Sequence, residues 1–311
     1  MNYFSIVIGQ IGLFILYAVI GIIAVKSKIL NREGLNMISK MITKILLPLM
    51  LFTNTVNGTT KEQFVSAAWM LLATVVYYIV LYSVGFGLKK AFRKSGNEGN
   101  VYHACTTFSN IGFMGIPVVM ALFPEKGILY VTMFTVVDQM ILWTIGVNLT
   151  LPVDGGIRYT PKQKLLKMIN PCTVSILLSV LVVFTGIPVP ELINVAATKT
   201  GAATTPFALI YLGGVFCYVN IVDYLKKFEI YGTAVVKQLL APILLLVIFR
   251  HFPGLTEEMA VTLAILGAMP TMTSIAMLAQ NQKSAGDYAA GMIFLTTVLS
   301  IITLPIVCLM L

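Results

Sequence analysis

The chain has 311 residues, of which 58% are hydrophobic and only 11% are charged. Soluble globular domains carry about a quarter charged residues, so this composition excludes an ordinary soluble protein and indicates that lipid is the solvent. The formal net charge of +9 falls mainly in short polar segments between apolar runs. The position of the positive charge between apolar runs indicates that it sets the orientation of the membrane spans rather than binding nucleic acid. No nucleic-acid partner is therefore predicted.

Ten apolar runs follow one another, each close to the roughly 20 residues that a helix needs to cross a bilayer. We call them spans 1 to 10, and they cover residues 3–25, 36–56, 64–88, 101–123, 128–151, 166–186, 200–220, 229–250, 258–280 and 286–310. Turn-forming pairs such as Asn57-Gly58 and Pro253-Gly254 separate them. The first lysines come after span 1 rather than before it, so span 1 is predicted to be retained and not cleaved. The sequence therefore predicts an all-α membrane protein with ten transmembrane helices.

Lysine and arginine are concentrated in alternate loops. The loops after spans 1, 3, 5, 7 and 9 contain most of them, namely Lys26, Lys28, Arg32, Lys89, Lys90, Arg93, Lys94, Arg158, Lys162, Lys164, Lys167, Lys226, Lys227 and Lys283. The opposite loops contain only Lys61, Lys126, Lys199 and Arg250. Because positive charge stays on the cytoplasmic side, we expect a multi-pass protein of the cytoplasmic membrane with both termini outside.

The longest hydrophilic stretch divides the chain into two halves. Residues 1–151 are predicted to form a first five-helix repeat, residues 152–165 a cytoplasmic linker, and residues 166–311 a second repeat. Because each half has an odd number of spans, homologous halves must enter the membrane in opposite orientations.

Two prolines in each half support such a repeat. Pro48 and Pro117 lie 69 residues apart in spans 2 and 4, and Pro206 and Pro270 lie 64 residues apart in spans 7 and 9. Broken helices at corresponding positions of two halves are the best sequence indication of a transporter binding site.

Spans 4 and 9 are the best candidates for broken helices, because small and hydroxyl residues surround their prolines. Unwound half-helices present N-termini with partial positive charge and free N–H groups, which favour a carboxylate. The predicted substrate-binding residues are Ser109, Asn110, Gly112, Gly115, Pro117, Met269, Pro270, Thr271 and Thr273. The alternative is a pair of ordinary proline kinks lined with small residues for helix packing.

Asp138 lies about ten residues into span 5, or about 15 Å deep at the rise of an α-helix. A carboxylate at that depth must be paired, protonated or cavity-facing. One hypothesis makes Asp138 a coupling-ion site or proton relay, with Lys44 and Lys237 as candidate partners. The other makes it a structural hydrogen-bond acceptor.

Lys40 and Lys44 recur with Asn36 on one face of span 2, and Lys237 lies within span 8. These lysines either snorkel toward the cytoplasm or form the basic wall of a cytoplasmic vestibule that attracts anions. Both interpretations stay open at this point.

Soluble-enzyme chemistry is poorly represented. The four cysteines lie in apolar segments without CxxC spacing, and the two histidines, His103 and His251, fall at opposite membrane faces. We therefore predict no enzyme activity, no metal site and no cofactor, and an intramembrane hydrolase is a weak competitor. Coupling to protons or to sodium is open. Protons are favoured because sodium would need several more oxygen ligands besides Asp138, and span 4 offers mainly hydroxyls and carbonyls.

The segment Ser109-Asn110-Ile111-Gly112-Phe113-Met114-Gly115-Ile116-Pro117 resembles the fourth-helix crossover of the auxin efflux carrier family. This family includes bacterial organic-acid permeases and plant auxin carriers. The segment from Ala268 to Pro305 is similar to the C-terminal part of the family, and Leu47-Pro48-Leu49 also fits. The resemblance covers essentially the whole chain.

This resemblance implies two inverted five-helix repeats like those of bile-acid/sodium symporters, with a scaffold bundle, a transport bundle and broken crossover helices 4 and 9. It also implies elevator-type transport of a small organic anion, either a mono- or dicarboxylate such as malate or malonate or an auxin-like acid. In the plant carriers, the asparagine that matches Asn110 lies at the substrate carboxylate. The lipid bilayer is a further partner and a homodimer stays open. The alternative function is a membrane sensor that binds an organic acid without transporting it.

Overall fold

The computed structural model describes residues 3–153, 160, 163 and 169–311, and their regular structure is helical apart from one isolated β-bridge. In chain order the helices are α1 (Tyr3–Lys26), α2 (Arg32–Gly58), α3 (Lys61–Ser66), α4 (Trp69–Ala91), α5 (Gly96–Thr107), α6 (Ile111–Leu122), α7 (Gly127–Leu149), α8 (Pro171–Thr185), α9 (Glu191–Ala202), α10 (Thr204–Phe216), α11 (Ile221–Leu225), α12 (Phe228–Arg250), α13 (Glu257–Ala268), α14 (Thr273–Asn281) and α15 (Gly286–Met310). Among the described residues, α1, α2, α4, α7, α12 and α15 are long and apolar enough to cross a membrane. The prediction of an all-α, multi-pass membrane protein is confirmed.

Several boundaries differ from the predicted spans. Span 3 was expected to begin at residue 64, but the short α3 and a turn precede α4, which begins at Trp69. The residues before span 7 were expected to be a loop, but they form α9, which continues almost directly into α10. Most of the predicted linker 152–165 and the start of span 6 lie outside the described residues.

Local sequence signals explain where several helices begin and end. The side chain of Asn31 accepts a hydrogen bond of 2.8 Å from the backbone N–H of Gly34 and so caps α2. Thr60 and Gln63 form a reciprocal capping box at the start of α3. Gly186 follows α8 with a φ of +68°, a left-handed conformation that glycine adopts without steric cost.

Three helices contain a π-helical turn directly before a proline. These turns cover Ile42–Leu46 before Pro48, Ile111–Gly115 before Pro117, and Ala234–Leu240 before Pro242. A proline has no N–H, and its ring collides with the carbonyl of the preceding turn. Widening that turn relieves the collision while the helix continues.

The helices pack into two groups. The first, which we call the scaffold group, consists of α1, α2, α8, α9 and α10, with α1 packed along α10 and with α8 and α9 packed on α2. The second, which we call the transport group, consists of α4, α5, α6, α7, α12, α13, α14 and α15. The two groups meet where α1 contacts α6 and α15 and where α2 contacts α7.

Candidate functional site

Two helix breaks meet in the middle of the transport group. The chain leaves α5 at Thr107 and resumes a helix at Ile111, and it leaves α13 at Ala268 and resumes at Thr273. The two extended connections, 108–110 and 269–272, run antiparallel to each other, and Ser109 bridges Thr271. We call this pair of segments the crossing.

Backbone hydrogen bonds hold the crossing together. The N–H of Asn110 donates to the carbonyl oxygen of Pro270 at 2.8 Å, and the N–H of Met272 donates to that of Phe108 at 3.0 Å. Unpaired backbone groups at membrane depth cost several kcal/mol each. The two interrupted helices therefore satisfy each other's freed groups, as a pair of independent proline kinks would not.

The prolines have different positions relative to the breaks. Pro270 lies within the extended connection, as expected for the residue that interrupts a helix. The expectation of unwound backbone around Pro117 was wrong, because Pro117 lies in the α-helical part of α6. The break occurs instead at Phe108–Asn110, and the π turn Ile111–Gly115 absorbs the disturbance caused by Pro117.

Polar side chains from neighbouring helices reach the crossing. The amide of Asn110 donates to the hydroxyl of Thr273 at 3.3 Å. The hydroxyl of Thr271 donates to the carbonyl of Cys105 at 3.0 Å. Tyr77 of α4 lies within hydrogen-bond distance, 3.1 Å, of the Ser109 hydroxyl. These five side chains are all buried, so the crossing is a closely organised polar centre within an apolar bundle.

The two candidate glycines of span 4 differ in their surroundings. A Cβ atom at Gly115 would lie 2.9 Å from the Leu266 side chain, so glycine permits α6 to pack closely against α13. A Cβ atom at Gly112 would lie no closer than 3.8 Å to Leu47. Gly112 therefore has space beside it, and that space belongs to a small cavity.

This small cavity has a volume of about 40 Å³ and joins Asn110 to Asp138. Its polar lining comes from Asn110, Thr135, Asp138, Gln139 and Ser274. The carboxylate of Asp138 accepts hydrogen bonds from the hydroxyl of Tyr78 and, at 3.0 Å, from the amide of Gln139. Asp138 is 2% exposed, so its carboxyl group is enclosed by other side chains. An anion bound at Asn110 would therefore share its surroundings with this carboxyl group.

A large cavity of about 550 Å³ lies between the scaffold and transport groups. Arg32 and Tyr211 of the scaffold group line one wall, and Thr273 and Gln280 of α14 line another. Its lining continues into the loop around Asn220, on the side of the protein that the positive charge predicts to be cytoplasmic. Because Thr273 bonds to Asn110, the cavity extends to the crossing.

Comparison with known proteins decides the family. Residues 6–308 match the family described as membrane transport protein, which is almost the entire chain. The chain belongs to the auxin efflux carrier family of membrane transporters. Members of this family are transporters, which is consistent with the expectation of no enzyme activity. No curated protein shows significant similarity to the chain.

In this auxin efflux carrier homologue, the three candidate vestibule lysines do not come together. Lys40 and Lys44 are exposed on α2 and do not belong to the lining of the large cavity, although Asn36 does. Lys237 is completely buried, and its ammonium donates to the carbonyl of Met269 in the crossing. Neither Lys44 nor Lys237 forms an ion pair with Asp138, whose described partners are Tyr78 and Gln139.

Tyr77 and Tyr78 were not among the predicted residues. These neighbouring tyrosines of α4 point one hydroxyl at Ser109 and the other at Asp138. The available signal was a pair of phenols inside an apolar span, because buried tyrosine hydroxyls usually need a partner. The local sequence pattern does not indicate which helix supplies that partner.

Proposed function

We propose that this protein is a secondary transporter that moves a small organic anion, a mono- or dicarboxylate, across the cytoplasmic membrane. One observation carries the proposal: the crossing of two broken helices, with Asn110 bonded to Thr273, lies at the end of a large cavity between two groups of helices. The site residues on both segments then act together. The amide of Asn110, the hydroxyl of Thr273 and the N-terminus of α14 supply donors that suit a carboxylate.

The proposed architecture is ten transmembrane spans in two inverted five-helix repeats. In this arrangement α5 with α6 forms one span and α13 with α14 another, and each is broken at the same relative position of its half. The arrangement of the two helix breaks supports the repeat, since both connections are extended and pair antiparallel, as an inverted two-fold relation requires. In this arrangement both termini lie outside. The transport group would move against the scaffold group as an elevator.

Flux through reconstituted protein tests transport directly. Purified protein in proteoliposomes should exchange a labelled mono- or dicarboxylate, such as malate or malonate, against the same unlabelled acid inside. Asn110→Ala should strongly weaken this counterflow at a fixed low substrate concentration, and Asn148→Ala, at an exposed position of α7, should not. Saturable binding of an acid without counterflow would instead support a sensor.

We further propose that Asp138 couples transport to protons. The support is geometric: Asp138 and Asn110 line the same small cavity, so an ionised Asp138 would repel a carboxylate bound at Asn110. Substrate binding then favours the protonated form of Asp138, and the anion and the proton cross together.

Asp138→Asn keeps the size of the side chain and an acceptor for Tyr78, but it cannot ionise. Accumulation driven by a pH gradient should collapse in this variant, whereas exchange at equal concentrations should persist. Glu191→Gln, at the exposed start of α9, is the matched control. A variant that still accumulates substrate with the wild-type pH profile would assign Asp138 a structural role only.

A further inference from the structure

Lys237 of α12 is buried in the transport group and contacts the crossing at Met269. Its side chain is 0% exposed, and its ammonium donates to the backbone carbonyl of Met269. Among the described residues, no carboxylate forms an ion pair with it. Because a lone ammonium is costly in the bilayer interior, something else at this site must stabilise it.

The carbonyl end of α13 supplies that stabilisation. α13 ends at Ala268, directly before Met269, and α5 ends at Thr107 on the other strand of the crossing. The C-terminus of a helix carries roughly half a negative charge, which favours a cation there. The ammonium of Lys237 contacts the α13 side of the crossing through Met269, whereas the carbonyl of Cys105 in the last turn of α5 accepts the hydroxyl of Thr271. The charge of Lys237 therefore acts on the C-terminal end of α13.

The neighbouring residue, Gln238, extends this arrangement to a further helix. Its amide donates to the carbonyl of Thr296 in α15 at 3.0 Å. The hydroxyl of Thr296 in turn accepts the N–H of Thr271 in the crossing at 3.2 Å. Consecutive residues of α12 thus support the crossing: Lys237 bonds directly to the carbonyl of Met269, and Gln238 holds Thr296, which accepts the N–H of Thr271.

We propose that the ammonium of Lys237 is the built-in cation of the crossing: it neutralises the carbonyl end of α13 and makes the transporter independent of sodium. In other transporters with broken helices, the unwound carbonyls and half-helix C-terminal ends coordinate the coupling Na⁺ or H⁺. Here the position is occupied by a side chain that moves with the site. The proposal rests on the proposed transport function for its role in flux, but the occupancy of the position can be tested without substrate.

The first experiment uses the wild-type protein. Thermal unfolding without substrate and counterflow of labelled malate are measured in sodium, potassium and N-methylglucamine chloride at one ionic strength. Both should be the same in the three salts. The proposal would be overturned if sodium alone raised the substrate-free unfolding temperature by several degrees. It would also be overturned if sodium alone raised the exchange rate severalfold.

The second experiment removes the charge. Lys237→Gln keeps a donor for Met269 without the charge, and Lys237→Ala opens a space beside the carbonyl end of α13. Both should unfold several degrees lower, and both should bind malate at least tenfold more weakly. Sodium, ammonium or methylammonium should restore the stability of Lys237→Ala, but not that of Lys237→Met, whose side chain fills the space. Lys199→Gln, exposed on α9, is the control.

A Gln variant with wild-type stability and affinity would overturn the proposal, as would a folded Ala variant that responds to none of the three cations. If the variants do not fold, the wild-type salt comparison still decides the point. A wild type that exchanges no carboxylate would refute the proposed transport function, but the unfolding measurements would still test the cation. The two failures are therefore distinguishable.

Discussion

Replacing Asn110 with alanine is the most direct perturbation of the crossing. The substitution removes the amide and its 3.3 Å hydrogen bond to Thr273. It keeps the backbone N–H that donates to Pro270 at 2.8 Å, so the two broken helices stay paired. The free energy of unfolding should therefore fall by only about 1 kcal/mol, the net value of one hydrogen bond.

Substrate affinity should fall much more. A hydrogen bond to a charged group contributes about 1.5–3 kcal/mol. Since about 1.4 kcal/mol corresponds to a tenfold change in the dissociation constant, Asn110→Ala should weaken carboxylate binding about 10- to 100-fold. Asn110→Asp should be worse, because it places a second carboxyl group in the cavity that Asp138 already lines.

The assay is the concentration dependence of counterflow in proteoliposomes, together with ligand-induced thermal stabilisation in detergent. Thr273→Val is an informative companion, because it removes only the hydroxyl that accepts from Asn110. Its effect should be smaller than that of Asn110→Ala. If Asn110→Ala binds the substrate with wild-type affinity, the carboxylate does not bind at the crossing and the reasoning fails.

Two further predictions concern stability. Gly201→Leu should lower the unfolding temperature by several degrees, because a Cβ atom there would lie 2.7 Å from the backbone nitrogen of Met50 and would force α9 away from α2; Gly87→Leu, whose Cβ position has no neighbour within 4 Å, is the control. Partial burial alone would lower the pKa of Lys94, but hydrogen bonds, the strongest to Glu229, more than offset it and raise the pKa above its ordinary value of 10.5. Because this pKa is raised in the folded state, the interaction of protonated Lys94 with Glu229 contributes fully to stability below pH 10.5. That contribution is lost as the pH rises further. The wild-type unfolding temperature should therefore fall above pH 10.5 more steeply than that of Lys94→Met, and equal slopes would contradict the assignment.

The apolar runs predicted most of the fold, because a helix in lipid must satisfy its own backbone and so has one strong sequence signal. Span 10 matches α15 residue for residue at its ends, and span 8 matches α12 within one residue. α9 was missed because its exposed first turn follows Pro188 and Pro190, which indicate a turn. Here Pro190 instead precedes the first residue of a helix, because α9 begins at Glu191.

The sequence predicted the segment that forms the candidate site, but not the geometry of the helix break within it. The polar and small residues of span 4 located the break within a few residues, but Pro117 suggested a position seven residues too far along the chain. The break needs a partner strand as well as a weak helix, and the partner, Thr271, is 162 residues away from Ser109. The tyrosine partners of Asp138 and Ser109 likewise depend on which helices are in contact. The periodicity within one span does not carry that information.

The partners of the crossing residues favour an elevator over a rocking motion. In the part of the chain that the structure describes, every side chain bonded to the crossing comes from the transport group: Tyr77 of α4, Lys237 of α12, Thr273 of α14 and Thr296 of α15. The scaffold group supplies the other wall of the large cavity, and it contributes the apolar side chains of Leu47 and Leu51 to the lining of the small cavity. The site should therefore travel intact when the transport group moves.

Spin labels can measure this motion, because exposed lysines lie on both groups. One label at Lys90 on α4 and one at Lys199 on α9 report the distance between the transport group and the scaffold group. This pair should show two distances whose populations change when substrate is added. Labels at Lys90 and Lys126, the second just before α7, lie within the transport group and should show one unchanged distance. A changing distance in the second pair would mean that the crossing deforms during transport, and the rigid movement of the site would then be wrong.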